Sequence, residues 1–151
     1  MSDLFKEECV YVYEGIVEAG DRRGRTLGFP TANIPITAAA DIDGVWAGLV
    51  ETGPETFAIA AVSVGRRRTF YPHDGQRLLE AHLLDFSLNL YGRRLRVHLF
   101  ERLRGQEAFS TIEALVEQLH LDVGRTREWA CGHYPWLTSP ASSDSPVGVQ
   151  A

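Results

Sequence analysis

Residues 94–101 read Arg-Leu-Arg-Val-His-Leu-Phe-Glu, an almost regular alternation of polar and apolar types. In an extended chain, successive side chains point to opposite faces. The apolar face holds Leu95, Val97 and Leu99. The polar face holds Arg94, Arg96 and His98. The stretch therefore predicts a half-buried β-strand with one face in a core and the other in water.

Further strands are predicted on the N-terminal side of this stretch. Their composition is rich in β-branched, aromatic and aliphatic residues, and turn residues bound them. They cover residues 9–18, 45–50, 57–64 and 78–86. Gly15, inside the first of them, predicts a bulge or a close backbone approach. A turn signal at residues 52–55 predicts that the second and third form a hairpin.

The strand predicted at residues 78–86 has one mixed face and one largely apolar face. The first comprises Glu80, His82, Leu84 and Phe86. The second comprises Leu79, Ala81, Leu83 and Asp85. A carboxylate among aliphatic neighbours needs a partner or a purpose, which draws attention to Glu80.

The hydrophobic period changes on the C-terminal side of the opening stretch. Apolar residues recur at helical spacing at Ile112, Leu115, Val116 and Leu119. Ser110 and Glu113 match a capping box, which predicts that a helix begins there. A further helical piece is predicted after Asp122.

Five or six short strands followed by a helical segment favour a mainly β fold, an antiparallel barrel with the helix packed on one end, because closure removes exposed strand edges. An α/β layout is disfavoured, since no helix-length segment separates the strands. We expect residues 1–8 to be an N-terminal extension, 9–136 the domain, and 137–151 a disordered tail.

The composition is that of one ordinary globular domain. The 151 residues are 44% hydrophobic and 23% charged, with a net charge of −5, which argues against a general nucleic-acid binder. The arginine clusters at residues 66–68 and 93–96 are interpreted as solvated faces or ion-pair partners, with an oligonucleotide-binding barrel as the alternative. The two cysteines have no metal-like spacing, and no leader or membrane-spanning segment is recognised. We expect a cytoplasmic monomer that binds neither membranes nor nucleic acid.

Residues 24–33 read Gly-Arg-Thr-Leu-Gly-Phe-Pro-Thr-Ala-Asn and lie between two predicted strands. Glycines allow a close backbone approach to a ligand, and Arg25 adds a fixed positive charge. Thr31 and Asn33, two positions apart, point the same way in an extended segment and offer two neutral oxygens. These are the residue types that a phosphate and magnesium site needs, but the same composition is also that of a glycine-rich surface loop, and the stretch alone does not decide between the two.

Glu80 is the candidate general base, with a strand glutamate paired to an arginine as the alternative interpretation. Asp85 is the rival carboxylate, but it lies near the strand end on the other face. The five histidines lack metal-ligand spacing. His82 shares a face with Glu80 and is a candidate to orient it.

Together these motifs resemble the riboflavin kinase family, including the kinase domain of bacterial bifunctional riboflavin kinase/FAD synthetases. The resemblance covers about residues 11–130. It rests on the glycine-rich loop with Pro-Thr-Ala-Asn at 30–33, Asp-Gly-Val-Trp-Ala-Gly at 43–48, Leu-Glu-Ala-His-Leu-Leu-Asp-Phe at 79–86 and Leu-Tyr-Gly at 90–92. The pieces around residues 103–104 and 109–115 complete it.

The resemblance implies a six-stranded antiparallel Greek-key barrel with a C-terminal helix. It also implies ATP-dependent phosphorylation of riboflavin to FMN. Thr31 and Asn33 would hold magnesium, and Glu80 would activate the ribityl hydroxyl. The remaining implied contacts are Gly20, Arg25, Gly28 and Thr31 for the nucleotide, and Arg104 and Glu113 for the flavin.

Two departures from the family pattern lie in connecting segments. Arg68 stands where the family usually has proline, and Gly105-Gln106 replaces a common Pro-Glu. They motivate an alternative, a non-catalytic flavin- or nucleotide-binding module with the same barrel. Because an adenylyltransferase domain is missing from the sequence, no FAD synthesis is expected.

Overall fold

A computed structural model describes residues 9–19, 27–66, 76–86 and 89–138 of the chain. Within these residues it contains six β-strands, with the bounds Tyr11–Ile16 (β1), Ala32–Thr37 (β2), Gly44–Gly53 (β3), Thr56–Arg66 (β4), Gln76–Leu83 (β5) and Arg94–Arg104 (β6). An α-helix, Ile112–His133 (α1), follows the last strand. Short 3-10 turns lie at Ala40–Ile42 and Pro135–Leu137.

The strands form one antiparallel sheet in the order β1-β6-β3-β4-β5-β2. Strands β3, β4 and β5 are neighbours in chain order, and β6 returns beside β3, which is a Greek-key arrangement. In the part of the chain that the structure describes, one antiparallel bridge joins Glu18, two residues after β1, to Asn33 of β2. The sheet thus curls into a nearly closed barrel, and the predicted Greek-key barrel with a C-terminal helix is confirmed.

The seam where β1 meets β2 contains few hydrogen bonds, because a proline in β2 lacks the N–H that another bond would need. The Glu18 N–H donates to the Asn33 carbonyl oxygen at 2.8 Å. Two residues further along, Pro35 presents the same edge to β1 but has no N–H to donate. Close contact replaces the hydrogen bonds here, since a Cβ on Gly15 would lie 2.7 Å from Ile34 Cγ2. The close approach predicted at Gly15 is confirmed.

The predicted faces of β5 are confirmed along its central residues. Leu79, Ala81 and Leu83 are buried in the barrel core, while Glu80 and His82 are half-buried on the outer face. The strand ends at Leu83, three residues earlier than predicted, because the chain turns at 84–85. Asp85 takes a left-handed φ of 57°, which a continuing strand does not allow.

The pattern of β6 is confirmed except at His98. The residues Leu95, Val97 and Leu99 lie in the core. Arg94 and Arg96 lie outside, with guanidinium nitrogens 3.6 and 3.5 Å from the Glu14 carboxylate, as the ion-pair interpretation predicts. The wet environment predicted for His98 is wrong, since this residue is only 3% exposed. Its Nε2 lies 2.6 Å from Glu51 Oε2, so the buried imidazole is paired.

The helix α1 is one continuous element of 22 residues. The predicted capping box with Ser110 as the N-cap is wrong. The N-cap is the next residue, Thr111, whose Oγ1 accepts a hydrogen bond from the Ala114 N–H at 3.0 Å. The predicted apolar stripe is only partly buried, because Ile112 is 53% exposed. A second core cluster holds the deeper C-terminal half, through Trp129 and Ala130.

Polar contacts also fasten α1 to the barrel. Arg127 donates to both carboxylate oxygens of Asp85, at 2.8 and 3.0 Å, and this pairing lowers the pKa of Asp85 from its usual value. Arg125 Nη1 donates to the Leu103 carbonyl oxygen at 2.8 Å. The helix is therefore tied to the end of β5 and the end of β6. No described helix combines the length and hydrophobicity needed to cross a membrane.

Candidate active site

Strand register brings the main candidate residues into one row on the outer face of the sheet. Asn33 on β2 lies directly opposite Glu80 on β5. Ser63 on β4 lies opposite Glu80 on the other side. Directly opposed residues on antiparallel strands have Cα atoms about 4.5–5.5 Å apart, so the amide and the carboxylate are immediate neighbours.

Thr31 and Asn33 present two oxygens at one point. The Thr31 hydroxyl donates to Asn33 Oδ1, and the two oxygens are 3.2 Å apart. Adjacent ligands of an octahedral magnesium ion, with bonds of 2.0–2.1 Å, are separated by about 3 Å. The pair therefore fits two neighbouring positions around such an ion, and Thr31 and Asn33 point the same way as predicted.

The described residues include no cluster of protein ligands that would supply the negative charge to neutralise a cation at this point. Among the residues that the structure describes, no group of three or more His, Cys, Asp or Glu side chains is placed to hold a metal ion. Magnesium commonly keeps few protein ligands and draws on substrate phosphates. The neutral oxygens of Thr31 and Asn33 suit that mode of binding.

The segment that leads to this oxygen pair, residues 28–30, has a defined backbone conformation and contacts two histidines. Gly28 has a φ of 90°, a conformation that favours glycine, and it begins the segment leading into β2. His82 Nδ1 lies 2.8 Å from the Pro30 carbonyl oxygen. Because a carbonyl only accepts, Nδ1 carries the proton in this contact. Phe29 is buried, with its ring centroid 5.5 Å from that of His82 and 5.0 Å from that of His120.

Arg104, the last residue of β6, is tied to the helix. Its Nε and Nη2 each donate to a carboxylate oxygen of Asp122 at 2.8 Å, and Asp122 is only 3% exposed. The hydrogen bonds to Asp122 raise the pKa of Arg104 above its usual value. The guanidinium carbon also lies 5.8 Å from the centroid of the Phe109 ring. Arg104 therefore anchors the segment that joins β6 to α1.

Glu113 lies in the first turn of α1 and is exposed. A carboxylate there interacts favourably with the helix dipole, whatever else it contacts. Its predicted flavin contact stays a prediction. Three predicted or discussed positions, Gly20, Arg25 and Arg68, lie outside the described residues.

Two polar residues of this region were not assigned to the site from the sequence. Ser63 interrupts an apolar run, which is a weak signal that its outward position is used. In the sequence, Gln106 is distinguished only by its departure from the family pattern. Its amide nitrogen lies 2.9 Å from Ser63 Oγ and 2.8 Å from the Val64 carbonyl oxygen. Only the register and the chain path after β6 bring these two residues together.

The chain matches the family model described as riboflavin kinase over residues 8–130. It is 35% identical over 132 residues to the bifunctional riboflavin kinase/FMN adenylyltransferase of Escherichia coli K12, covering 87% of this chain and 40% of that protein. The protein with the same name from Bacillus subtilis strain 168 is 35% identical over 115 residues, covering 74% of this chain and 36% of that protein. The chain thus spans about two fifths of these relatives.

Solved structures resemble the same region. The riboflavin kinase of Trypanosoma brucei matches with a TM-score of 0.54 and 24% identity, over 90% of this chain and 87% of that chain, and supports the fold. A Streptococcus pneumoniae protein, described as a macrolide-efflux protein, matches with a TM-score of 0.65 and 35% identity. That match covers 78% of this chain and 38% of the other.

Proposed function

Since the chain belongs to the riboflavin kinase family, we propose that it transfers the γ-phosphoryl group of ATP to the terminal ribityl hydroxyl of riboflavin, with magnesium, giving FMN and ADP. The observation that supports this most directly is the strand register. It places Asn33 opposite Glu80, with the Thr31 hydroxyl 3.2 Å from Asn33 Oδ1. A carboxylate thus lies beside a paired oxygen site, which are the two elements that phosphoryl transfer to an alcohol requires.

In this proposal Thr31 and Asn33 hold magnesium through their side-chain oxygens. When bound, the ion supplies neutralisation of the phosphate charge that develops during transfer. Gly20, Arg25, Gly28 and Thr31 contact the nucleotide. Gly28 contributes backbone freedom, because its φ of 90° is one that other residues rarely adopt.

Glu80 acts on the acceptor. The ribityl oxygen attacks the γ-phosphorus, and the new O–P bond forms as the bond from that phosphorus to the β–γ bridging oxygen breaks. The hydroxyl proton passes to the Glu80 carboxylate, and ADP leaves with the bridging oxygen. Half-burial keeps Glu80 within reach of substrate without removing it from solvent exchange.

The flavin lies on the side of the segment that joins β6 to α1. Arg104 and Glu113 border this segment at its two ends. Two nitrogens of Arg104 already donate to Asp122, so the guanidinium is held in place beside the Phe109 ring. In this proposal the two side chains form a fixed surface for the flavin. We further propose that the protein is cytoplasmic and acts as a monomer. Size-exclusion chromatography with light scattering tests the monomeric state.

The decisive experiment compares Glu80→Gln with the parent in turnover of riboflavin and Mg-ATP. The amide keeps the size of the side chain but cannot accept the proton, and positioned acid/base groups contribute roughly 10²–10⁴-fold. We expect kcat to fall by at least about 10²-fold, with the riboflavin Kd from fluorescence quenching unchanged. Glu55→Gln, in the exposed turn between β3 and β4, is the matched control and retains parental turnover.

Full activity of Glu80→Gln would remove the carboxylate from the mechanism. A parent protein that quenches flavin fluorescence but releases no ADP would instead be a binding module. Turnover of riboflavin by the parent, lost in Glu80→Gln and kept in Glu55→Gln, supports the kinase.

A further inference from the structure

Gln106 occupies an unusual position between the two sides of the proposed site. It lies two residues after the end of β6, in the segment 105–111 that leads to α1. Its side chain turns back to β4, where Nε2 is 2.9 Å from Ser63 Oγ and 2.8 Å from the Val64 carbonyl oxygen. The same nitrogen is 3.5 Å from the carbonyl oxygen of Gly44 on β3. One amide group thereby joins the segment to two strands.

The chemistry of the acceptors determines which end of the amide faces β4. A carbonyl oxygen can only accept, so the atom near Val64 must be the NH₂ nitrogen. Its two hydrogens can serve Val64 and Ser63 together, and this uses both donors. An apolar side chain of the same length would make neither bond.

The backbone beneath Gln106 leaves room for this contact. A Cβ on Gly65 would lie 3.3 Å from Gln106 Nε2 and 3.6 Å from its Cδ. The 3.6 Å separation is an ordinary van der Waals contact, but at 3.3 Å the amide nitrogen would have to give way by a few tenths of an ångström. The absence of a side chain at Gly65 therefore lets the amide lie flat against β4.

The acceptor Ser63 is also the residue directly opposite Glu80 on the neighbouring strand. The other end of the same segment carries Phe109, which lies under the Arg104 guanidinium. Gln106 therefore stands between the proposed base and the proposed flavin side, with one cross-strand step separating it from Glu80.

We propose that Gln106 is a positioning residue, which clamps the flavin-side segment 105–111 to β4 and so fixes the distance between bound flavin and Glu80. This inference rests on the proposed riboflavin kinase function. Gln106 is exposed, so its hydrogen bonds contribute little to the stability of the fold. We expect Gln106 to affect the position of the segment and not the stability of the fold. A displacement of 1 Å near a reacting centre can lower the rate by about 10²-fold.

The test uses Gln106→Met, which keeps the length of the side chain and removes both donors. We expect the riboflavin Kd and KM to rise roughly tenfold and kcat to fall, since the segment is no longer held. The KM for ATP stays within about twofold of the parent, because Thr31 and Asn33 are held by separate contacts. Gly65→Ala, whose methyl group would displace the amide from β4 by a few tenths of an ångström, moves the same constants in the same direction but by less.

Gln76→Ala, at the exposed start of β5, is the matched control and leaves all constants at parental values. Thermal unfolding separates the positioning role from a structural one. A purely structural residue would lower Tm and leave the riboflavin Kd of the folded protein unchanged, and that result would overturn the inference.

The riboflavin Kd also separates this inference from the proposed function. If the parent binds flavin but produces no FMN, the kinase proposal fails, and a raised Kd in Gln106→Met still supports the clamp. If the parent is active and Gln106→Met has parental Kd, KM and kcat, the clamp is wrong and the kinase stands. A parent that neither binds nor phosphorylates riboflavin overturns both.

Discussion

At the scale of single residues, the proposed metal site consists of only two side-chain oxygens that lie close together. Thr31 and Asn33 contribute one oxygen each, 3.2 Å apart, and neither carries a charge. The imidazole of His82 contacts the Pro30 carbonyl oxygen through Nδ1, and its predicted role in orienting Glu80 stays a prediction. His82 thus holds the backbone that presents Thr31. Each of these residues acts through position, which makes isosteric substitutions the informative ones.

Thr31→Val is expected to weaken the use of magnesium specifically. Valine keeps the shape of threonine and removes the hydroxyl that completes the oxygen pair. The magnesium concentration for half-maximal activity should rise by at least roughly tenfold, the lower end of what loss of a metal-site partner costs. Excess magnesium should restore part of the rate. Titration of activity with magnesium at fixed ATP measures both effects.

The control for this prediction is Thr37→Val. Thr37 ends the same strand and is exposed, away from Glu80 in the register. It should retain the parental magnesium dependence. The same dependence in Thr31→Val would show that the hydroxyl plays no part in metal binding.

At the scale of elements, α1 is held to the barrel by apolar packing at some positions and by ion pairs at others. Trp129 and Ala130 bury apolar surface against the outer face of the sheet. Arg104 and Asp122 form a largely buried pair near the middle of the helix, while Arg127 and Asp85 form an exposed one. The N-terminal half, with Ile112 exposed, is the part left open beside the proposed flavin segment.

Asp85→Asn is expected to remove a pH-dependent part of this docking. The pKa of Asp85 is lowered in the folded protein by its hydrogen bonds to Arg127. The pair therefore contributes stability above the unfolded-state pKa, near 3.9 for aspartate, and the contribution disappears as pH falls through the lower folded-state pKa. Because the Arg127 side chain is 50% exposed and that of Asp85 65% exposed, the effect at pH 7 should be small, about 0.2–1 kcal/mol.

Urea unfolding of the parent and Asp85→Asn at neutral pH, at pH 4 and at successively lower pH values measures this difference. It should be present at neutral pH and shrink progressively below about pH 4. A difference that is independent of pH would show that the substitution acts through something other than the ion pair.

At the scale of the whole molecule, the barrel is closed by little hydrogen bonding. One bridge, Glu18 to Asn33, joins β1 to β2 in the part of the seam that the structure describes. Pro35 prevents a further donated bond toward β1, and packing of Ile34 against Gly15 takes its place. Since Asn33 also lies opposite Glu80, closure and site geometry share a residue.

Gly15→Ala is expected to strain this seam. The added methyl group would lie 2.7 Å from Ile34 Cγ2, and Ile34 is only 1% exposed and cannot move toward solvent. Overpacking of this kind costs typically about 1–3 kcal/mol. The free energy of unfolding should fall by that amount in denaturant titrations. Gly124→Ala, on the open side of α1 with no neighbour within 4 Å, should be neutral or slightly stabilising.

If Gly15→Ala proves no more destabilising than Gly124→Ala, the barrel tolerates the added methyl group and the contact with Ile34 does not limit the seam. A fall in riboflavin turnover of Gly15→Ala beyond its loss of folded protein would further connect the seam to the site.

Local chemistry in the sequence determined which residues are strands, which faces they show and which side chains are candidates. The alternation of Leu79, Glu80, Ala81 and His82 was sufficient to place the carboxylate outside the core, because side-chain direction along a strand is a local property. The same holds for Thr31 and Asn33, two positions apart. The resemblance of these motifs to the riboflavin kinases predicted the barrel, and the structure confirms it.

Tertiary structure alone decided what stands next to what. His98 follows the polar phase of β6 and is nevertheless buried, because Glu51 from another strand pairs with it. The helix begins after Thr111 and not Ser110, since a neighbouring hydroxyl satisfies the same N–H groups. Register between strands remote in sequence set Asn33 and Ser63 on either side of Glu80, and the return of the chain brought Gln106 to Ser63. Such pairings arise from the closure of the whole sheet, which no local pattern encodes.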